Sequence, residues 1–349
     1  GLGGHSALPQ INADTVDELR LVWSRAMQHG YQEVEPIVYN GVMFLANVED
    51  IVQALDATTG DLLWEYRRNL PENIANVTGT RYRYRNVAIY DDKIFLATND
   101  AFLVALDART GRQLWKRYSI DEVPARTGTS SAGVAQWGPS GVGIWASPTL
   151  DPDRNQMYVA TGDSYSNPVA PESDAIMALT MDTGEVVWVT QTTPGDVWVA
   201  ACLSPDEATR ANCPEDAGPD HDYGSAIVLT EVGGQQLLLA GQKSGVMYRL
   251  DPDTGEIVWY YQHLNDHWDL DHPFERLLVD TVVAPDPTKV SWINPRLQPG
   301  EERRVMTGIP GKTGVVYTLD RATGEFLWAT PTVAQNVISH IDGATGVVS

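Results

Sequence analysis

A nine-residue pattern, Asp-x-x-Thr-Gly-x-x-x-Trp in most copies, recurs five times in the 349 residues and narrows the choice of fold more than any other feature. Its copies end at Gly60 and Trp64, Gly111 and Trp115, Gly184 and Trp188, Gly255 and Trp259, and Gly324 and Trp328. The glycines lie 51, 73, 71 and 69 residues apart, so a constant unit is separated by loops of varying length. The Asp, or Thr180 in the third copy, can bond back to nearby backbone, and the Gly can take positive φ. Apolar segments flank the turn, so each copy reads as strand, turn, strand. A second apolar pair precedes it, such as Glu35–Tyr39 with Gly41–Ala46, or Asn86–Tyr90 with Lys93–Ala97, which makes four strands per unit.

Four-stranded antiparallel sheets repeated at this interval are the blades of a β-propeller, so the expected fold is all-β. The blades fall at about 30–70, 80–120, 145–190, 224–262 and 272–330. The Trp four residues after each Gly is expected to dock one blade on its neighbour rather than to form a substrate platform. Residues Ile341–Gly346 read as the approach to another blade, so residues 1–349 are expected to be part of one propeller completed by further chain or by a second chain.

Composition narrows the function. With 24 Lys and Arg against 46 Asp and Glu, the formal charge is −22, which repels phosphate backbones and anionic membrane surfaces and argues against nucleic-acid binding. The 11 Trp and 14 Tyr argue against disorder. No window approaches the ~18–20 apolar residues of a spanning helix. The chain opens at Gly1 with no apolar leader, so a signal peptide is expected to have been removed or to lie outside it. Cys202 and Cys213 lie in a polar stretch from Ala201 to Asp222 and read as a local disulfide, the alternative being two free thiols. Oxidised, they place the chain in the periplasm or outside the cell. There is no Cys-x-x-Cys-His for haem attachment, and zinc is not signalled.

The repeats, the opening Leu8-Pro9-Gln10-Ile11-Asn12 and the segment Trp268-Asp269-Leu270-Asp271 resemble the quinoprotein alcohol dehydrogenases, eight-bladed propellers that carry pyrroloquinoline quinone (PQQ). Ile144–Pro148, Ala160–Ser166 and Ala240–Val246 resemble the polyvinyl alcohol dehydrogenase branch. A non-enzymatic relative, the propeller scaffold of outer-membrane assembly, uses the same repeat, so the alternative function is a cofactor-free propeller that binds protein partners. The resemblance implies particular roles. Glu33 and Arg85 match positions that contact the quinone. Lys312 matches a cation beside its C5 oxygen, where negative charge develops as hydride arrives. Asp269 matches the base that takes the alcohol proton, and Asp271, two residues on, an acid that accompanies lanthanide-binding members.

The chain also departs from that pattern. Asp163 lies near the family's metal-binding Glu but in a different local sequence, and Lys243 stands where a metal-binding Asn is usual; a protonated ammonium cannot ligate a cation. Gly79 and Thr80 occupy the position of the adjacent-cysteine ring. Tyr223 takes the place of the aromatic floor, and Trp145 that of a small hydroxyl residue lining the quinone. The resemblance thus implies PQQ as cofactor, with calcium, a lanthanide or no metal left open among Asp269, Asp271 and Asp163. It further implies a periplasmic enzyme that oxidises a small or polymeric alcohol to an aldehyde or ketone, with a separate cytochrome c or other electron acceptor.

Overall fold

A computed structural model of the chain describes residues 8–32, 34–74, 83–84, 87–266 and 269–349. Among the described residues, five antiparallel sheets follow one another in chain order, each built around four strands taken in chain order. The first comprises Ile37–Tyr39, Val42–Asn47, Ile51–Asp56 and Leu62–Arg67. The second comprises Ala88–Tyr90, Lys93–Ala97, Phe102–Asp107 and Gln113–Tyr118. The third is Thr149–Asp151, Gln156–Ala160, Ala175–Thr180 and Val186–Gln191. The fourth is Val228–Val232, Gln235–Gly241, Val246–Leu250 and Ile257–Gln262. The fifth is Leu277–Val283, Glu301–Gly308, Val315–Asp320 and Phe326–Pro331, with a short strand Trp292–Ile293 added outside the last. These are the expected blades.

The repeated turn joins the third and fourth strands of each blade, and its chemistry is the same throughout. Asp56 Oδ1 accepts from the amides of Thr58 at 2.8 Å and Thr59 at 3.1 Å, and Asp107, Asp251 and Asp320 do likewise. In the third blade the hydroxyls of Thr180 and Thr183 meet at 2.6 Å instead. Just beyond the turn the register shifts by a bulge in all five blades, which adds local twist.

Each repeat tryptophan of the first four blades lies on the turn of the blade that follows. Trp64 Nε1 donates to Ala108 O at 3.0 Å, Trp115 to Met181 O at 3.0 Å, Trp188 to Pro252 O at 3.1 Å and Trp259 to Ala322 O at 3.1 Å. The indole covers the turn glycine so closely that a Cβ on Gly111 would lie 2.5 Å from Trp64 Cε3. Burial of ~150–250 Å² per indole contributes ~4–6 kcal/mol before entropy is subtracted. Trp23 makes the same contact with the first blade, donating to Ala57 O at 3.2 Å over Gly60, although no turn of this kind precedes it. The apolar core follows the same plan: Phe44 and Val52 pack with Ile94 and Val104, Phe95 with Met157, Tyr158 with Leu238, and Leu239 with Tyr317.

Because successive strands are antiparallel, the repeated turns gather at one end of the blades. The links between second and third strands, and the connections from blade to blade, gather at the other. The connection from third to fourth blade holds short helical turns at Ala200–Leu203 and Glu207–Arg210, tied by the expected disulfide between Cys202 and Cys213 with Cα atoms 4.8 Å apart.

Candidate functional site

The end opposite the repeated turns carries Lys312, Asp269 and Asp271. Lys312, in the link between the second and third strands of the fifth blade, meets the connection from the fourth. Its Nζ lies 2.9 Å from Asp269 Oδ2 and 2.6 Å from Asp271 Oδ2, and it also donates to Asp269 O at 2.8 Å. The Lys312 amide donates to Leu270 O at 2.7 Å. Asp266 orders the connection by accepting from the amides of Leu270 at 2.9 Å and Asp271 at 2.8 Å. Asp269 and Asp271 both have positive φ, +58° and +38°. They reach the same side through left-handed backbone, not through the alternation of an extended segment.

The environments of the two acids differ. Asp271 is 17% exposed and its Oδ1 is buried without a partner. Burial pushes its carboxyl above the usual range, against the pull of Lys312, and the charge of Asp269 adds to the rise. Asp269, expected as the base, is 75% exposed and, among the described residues, is held through Lys312. Lys312 is kept protonated by Asp271 and Asp269.

One blade earlier a similar arrangement recurs. Lys243 Nζ lies 2.7 Å from Asp222 Oδ2 and 3.2 Å from Asp220 Oδ2, and the Lys243 amide donates to Asp222 O at 3.1 Å. A buried aspartate, here Asp196, again orders the segment, accepting from the amides of Asp220 at 3.2 Å and His221 at 2.8 Å. Asp220 has φ +61°, as Asp269 has +58°. In this clasp Lys243 is 12% and Asp222 2% exposed. Asp163 joins it: its amide donates to Asp222 Oδ1 at 2.8 Å, and oxygens of Asp163, Asp220 and Asp222 all lie within 4.8 Å of one another. Gly162 leaves room for this, since a Cβ there would lie 2.3 Å from Asp222 Oδ1.

Burial, together with the charge of Asp222, pushes the Asp163 carboxyl far above its ordinary range; Asp220 is raised for the same reasons. Burial works against ionisation of Asp222 as well, but Lys243 and the surrounding hydrogen bonds outweigh it and hold that carboxyl below its ordinary value. Nearby Asp174 has both carboxylate oxygens buried without a partner. Burial and the charges of Asp196, Asp222 and Asp220 push it up to about 9.

The remaining expected residues are placed as follows. Trp145 is half-buried, with Lys243 Nζ 4.9 Å from its ring centroid. Tyr223 is not a floor: it is 1% exposed, packed with Tyr158, Ile176 and Leu238, and its hydroxyl lies 2.9 Å from Thr192 Oγ1. Asp222 just before it turns to Lys243, so its neighbour faces the opposite way, into the core. Asp163 does not join Asp269 and Asp271 but the trio with Asp220 and Asp222. Glu33 and Arg85 lie outside the described residues, as do Gly79 and Thr80. The segments just before Glu33 and Arg85 run side by side as a parallel pair, with Tyr31 opposite Arg83 and Gln32 opposite Tyr84.

Sequence reading missed Asp220 and Asp222. The signal was available: Asp220-His221-Asp222 with Lys243-Ser244-Gly245-Val246 has the same form as Asp269-Leu270-Asp271 with Lys312-Thr313-Gly314-Val315.

The fold and site together define a tryptophan-docked propeller with lysine–carboxylate clasps at one end of successive blade junctions. The family described as the β-propeller domain of PQQ-dependent glucose, ethanol and alcohol dehydrogenases matches residues 2–116 and 107–200, and the chain belongs to it. A polyvinylalcohol dehydrogenase of a Pseudomonas species is 37% identical over 229 residues, 62% of this chain and 35% of that protein. The quinoprotein ethanol dehydrogenase of Pseudomonas aeruginosa is 27% identical over 409 residues, 99% of this chain and 58% of that protein. The chain therefore spans between about a third and somewhat over half of these relatives' lengths. The crystal structure of the quinohemoprotein alcohol dehydrogenase from Comamonas testosteroni superposes with a TM-score of 0.71 at 23% identity, over 99% of this chain and 49% of that one, which supports the fold.

Proposed function

We propose that this chain is part of a quinoprotein dehydrogenase that oxidises an alcohol to an aldehyde or ketone, with Asp269 and Lys312 as its catalytic pair. The observation that carries the reading is the Lys312 ammonium, 2.9 Å from Asp269 and 2.6 Å from Asp271, in a chain of the PQQ propeller family. The residues at this end suit a planar, acidic quinone. Lys312 and Lys243 supply cations, Trp145 offers a half-buried ring, and the Thr313 hydroxyl beside Lys312 is buried without a partner. Bound there, PQQ would supply a two-electron acceptor for the hydride of the alcohol carbon.

The chain's own residues have definite tasks. Asp269 takes the hydroxyl proton of the alcohol, and Lys312 fixes the direction of that carboxylate through its two bonds to Asp269. Asp271, 2.6 Å from the ammonium and of low exposure, keeps it in place. A metal ion fits less well, because two of the three carboxylates that, among the described residues, are grouped closely enough to hold one already carry Lys243.

The polyvinylalcohol dehydrogenase relative supports a secondary, polymeric alcohol as substrate, and the Cys202–Cys213 disulfide supports an oxidising compartment such as the periplasm. Reoxidation then falls to a separate acceptor, a cytochrome c in the simplest case. The test is dye reduction by the full-length protein reconstituted with PQQ and offered poly(vinyl alcohol) and short primary and secondary alcohols. Quinone binding with no dye reduction by any of them would contradict the reading, and failure to bind the quinone at all would favour a scaffold.

A further inference from the structure

We infer that Lys243 is a resident cation that takes the place of a metal ion in the Asp163, Asp220 and Asp222 cluster. Three carboxylates whose oxygens lie within 4.8 Å of one another are the donor set that a hard cation would choose. Two of the three already bond the same ammonium, at 2.7 Å and 3.2 Å, and that ammonium is 12% exposed. A divalent or trivalent ion brought within reach of the same oxygens would sit next to this fixed positive charge and would have to displace it from Asp222.

Lys243 is also built in rather than adventitious. Its backbone amide is bonded to Asp222 O, its Nζ lies over the Trp145 ring at 4.9 Å, and Asp196 fixes the acidic segment from behind. Asp163 Oδ2, buried without a partner among the described residues, lies on the member that Lys243 does not pair with. The next blade junction uses the same device, with Lys312 between Asp269 and Asp271. A lysine set between two aspartates is thus a repeated way of neutralising this end of the propeller. The inference does not depend on which alcohol, if any, the protein oxidises.

Terbium(III), a luminescent stand-in for calcium and the lanthanides, tests it, since Trp145 is near enough to sensitise an ion bound in the cluster. The full-length wild type, Asp163→Asn, Lys243→Asn and the double variant are titrated with terbium under tryptophan excitation, with folding checked by circular dichroism. Asp163→Asn is expected to leave the wild-type titration unchanged within twofold. Lys243→Asn is expected to gain one saturable sensitised site, which the double variant loses. Terbium binding present in the wild type and abolished by Asp163→Asn would overturn the inference, as would a folded Lys243→Asn that gains no site. If Lys243→Asn does not fold, the comparison of wild type with Asp163→Asn decides alone.

Discussion

Asp222 and Asp271, at successive blade junctions, each grip a lysine from the blade that follows, at 2.7 Å to Lys243 and 2.6 Å to Lys312. The two clasps differ in exposure. Removing one partner of a buried pair strands the other charge, whereas a solvated pair is worth little. Lys243→Met is therefore expected to cost ~3–5 kcal/mol in urea unfolding. Lys312→Met is expected to cost no more than ~1 kcal/mol. Equal losses would show that burial does not distinguish the clasps.

Asp174 makes stability depend on pH. Its folded-state affinity for the proton, at about 9, lies above the ordinary 3.8, so between these values the unfolded chain holds fewer protons than the native one and stability falls as pH rises. The contribution is complete below about 3.8 and is lost as pH passes about 9. Asp174→Asn keeps the shape, tolerates the φ of +47°, and is expected to flatten the decline in melting temperature over that range. A variant curve parallel to the wild type would show that this carboxyl is not held neutral.

The docking of tryptophan on glycine can be separated from the backbone requirement of the turn. Gly111 has φ +71° with Trp64 pressed against it, while Gly41 has φ +79° and nothing within 4 Å of the point a Cβ would occupy. Gly41→Ala should cost ~1–2 kcal/mol from the left-handed backbone alone. Gly111→Ala should cost ~2–4 kcal/mol, the excess reflecting overpacking against the indole. Similar losses at the two sites would mean that the indole yields freely.

The blades are legible in the sequence because their signal is local: Asp, Thr, Gly and Trp within nine residues dictate the turn, its bulge and the docking contact. Trp23 is not, since it uses the same contact without a turn of its own, and only the packed neighbour reveals it. Asp269, Asp271 and Lys312, each singled out in the sequence, lie together in the structure, 43 residues apart for the outer pair. The trio of Asp163, Asp220 and Asp222 is hidden because its members come from the third blade and from a connection dominated by the disulfide loop. Tyr223 faces the core, contrary to expectation, because a residue's side of the chain depends on its neighbour, and only the packed structure shows Asp222 turned to Lys243.

The central claim, that Asp269 removes the alcohol proton, is tested most directly by Asp269→Asn in the full-length protein reconstituted with PQQ. The amide keeps the size and one hydrogen-bond acceptor for Lys312 but cannot take the proton. Quinone absorbance and its stoichiometry are expected to stay as in the wild type while kcat for dye reduction falls by ~10²–10⁴-fold. A variant that binds the quinone and turns over alcohol at the wild-type rate would contradict the account.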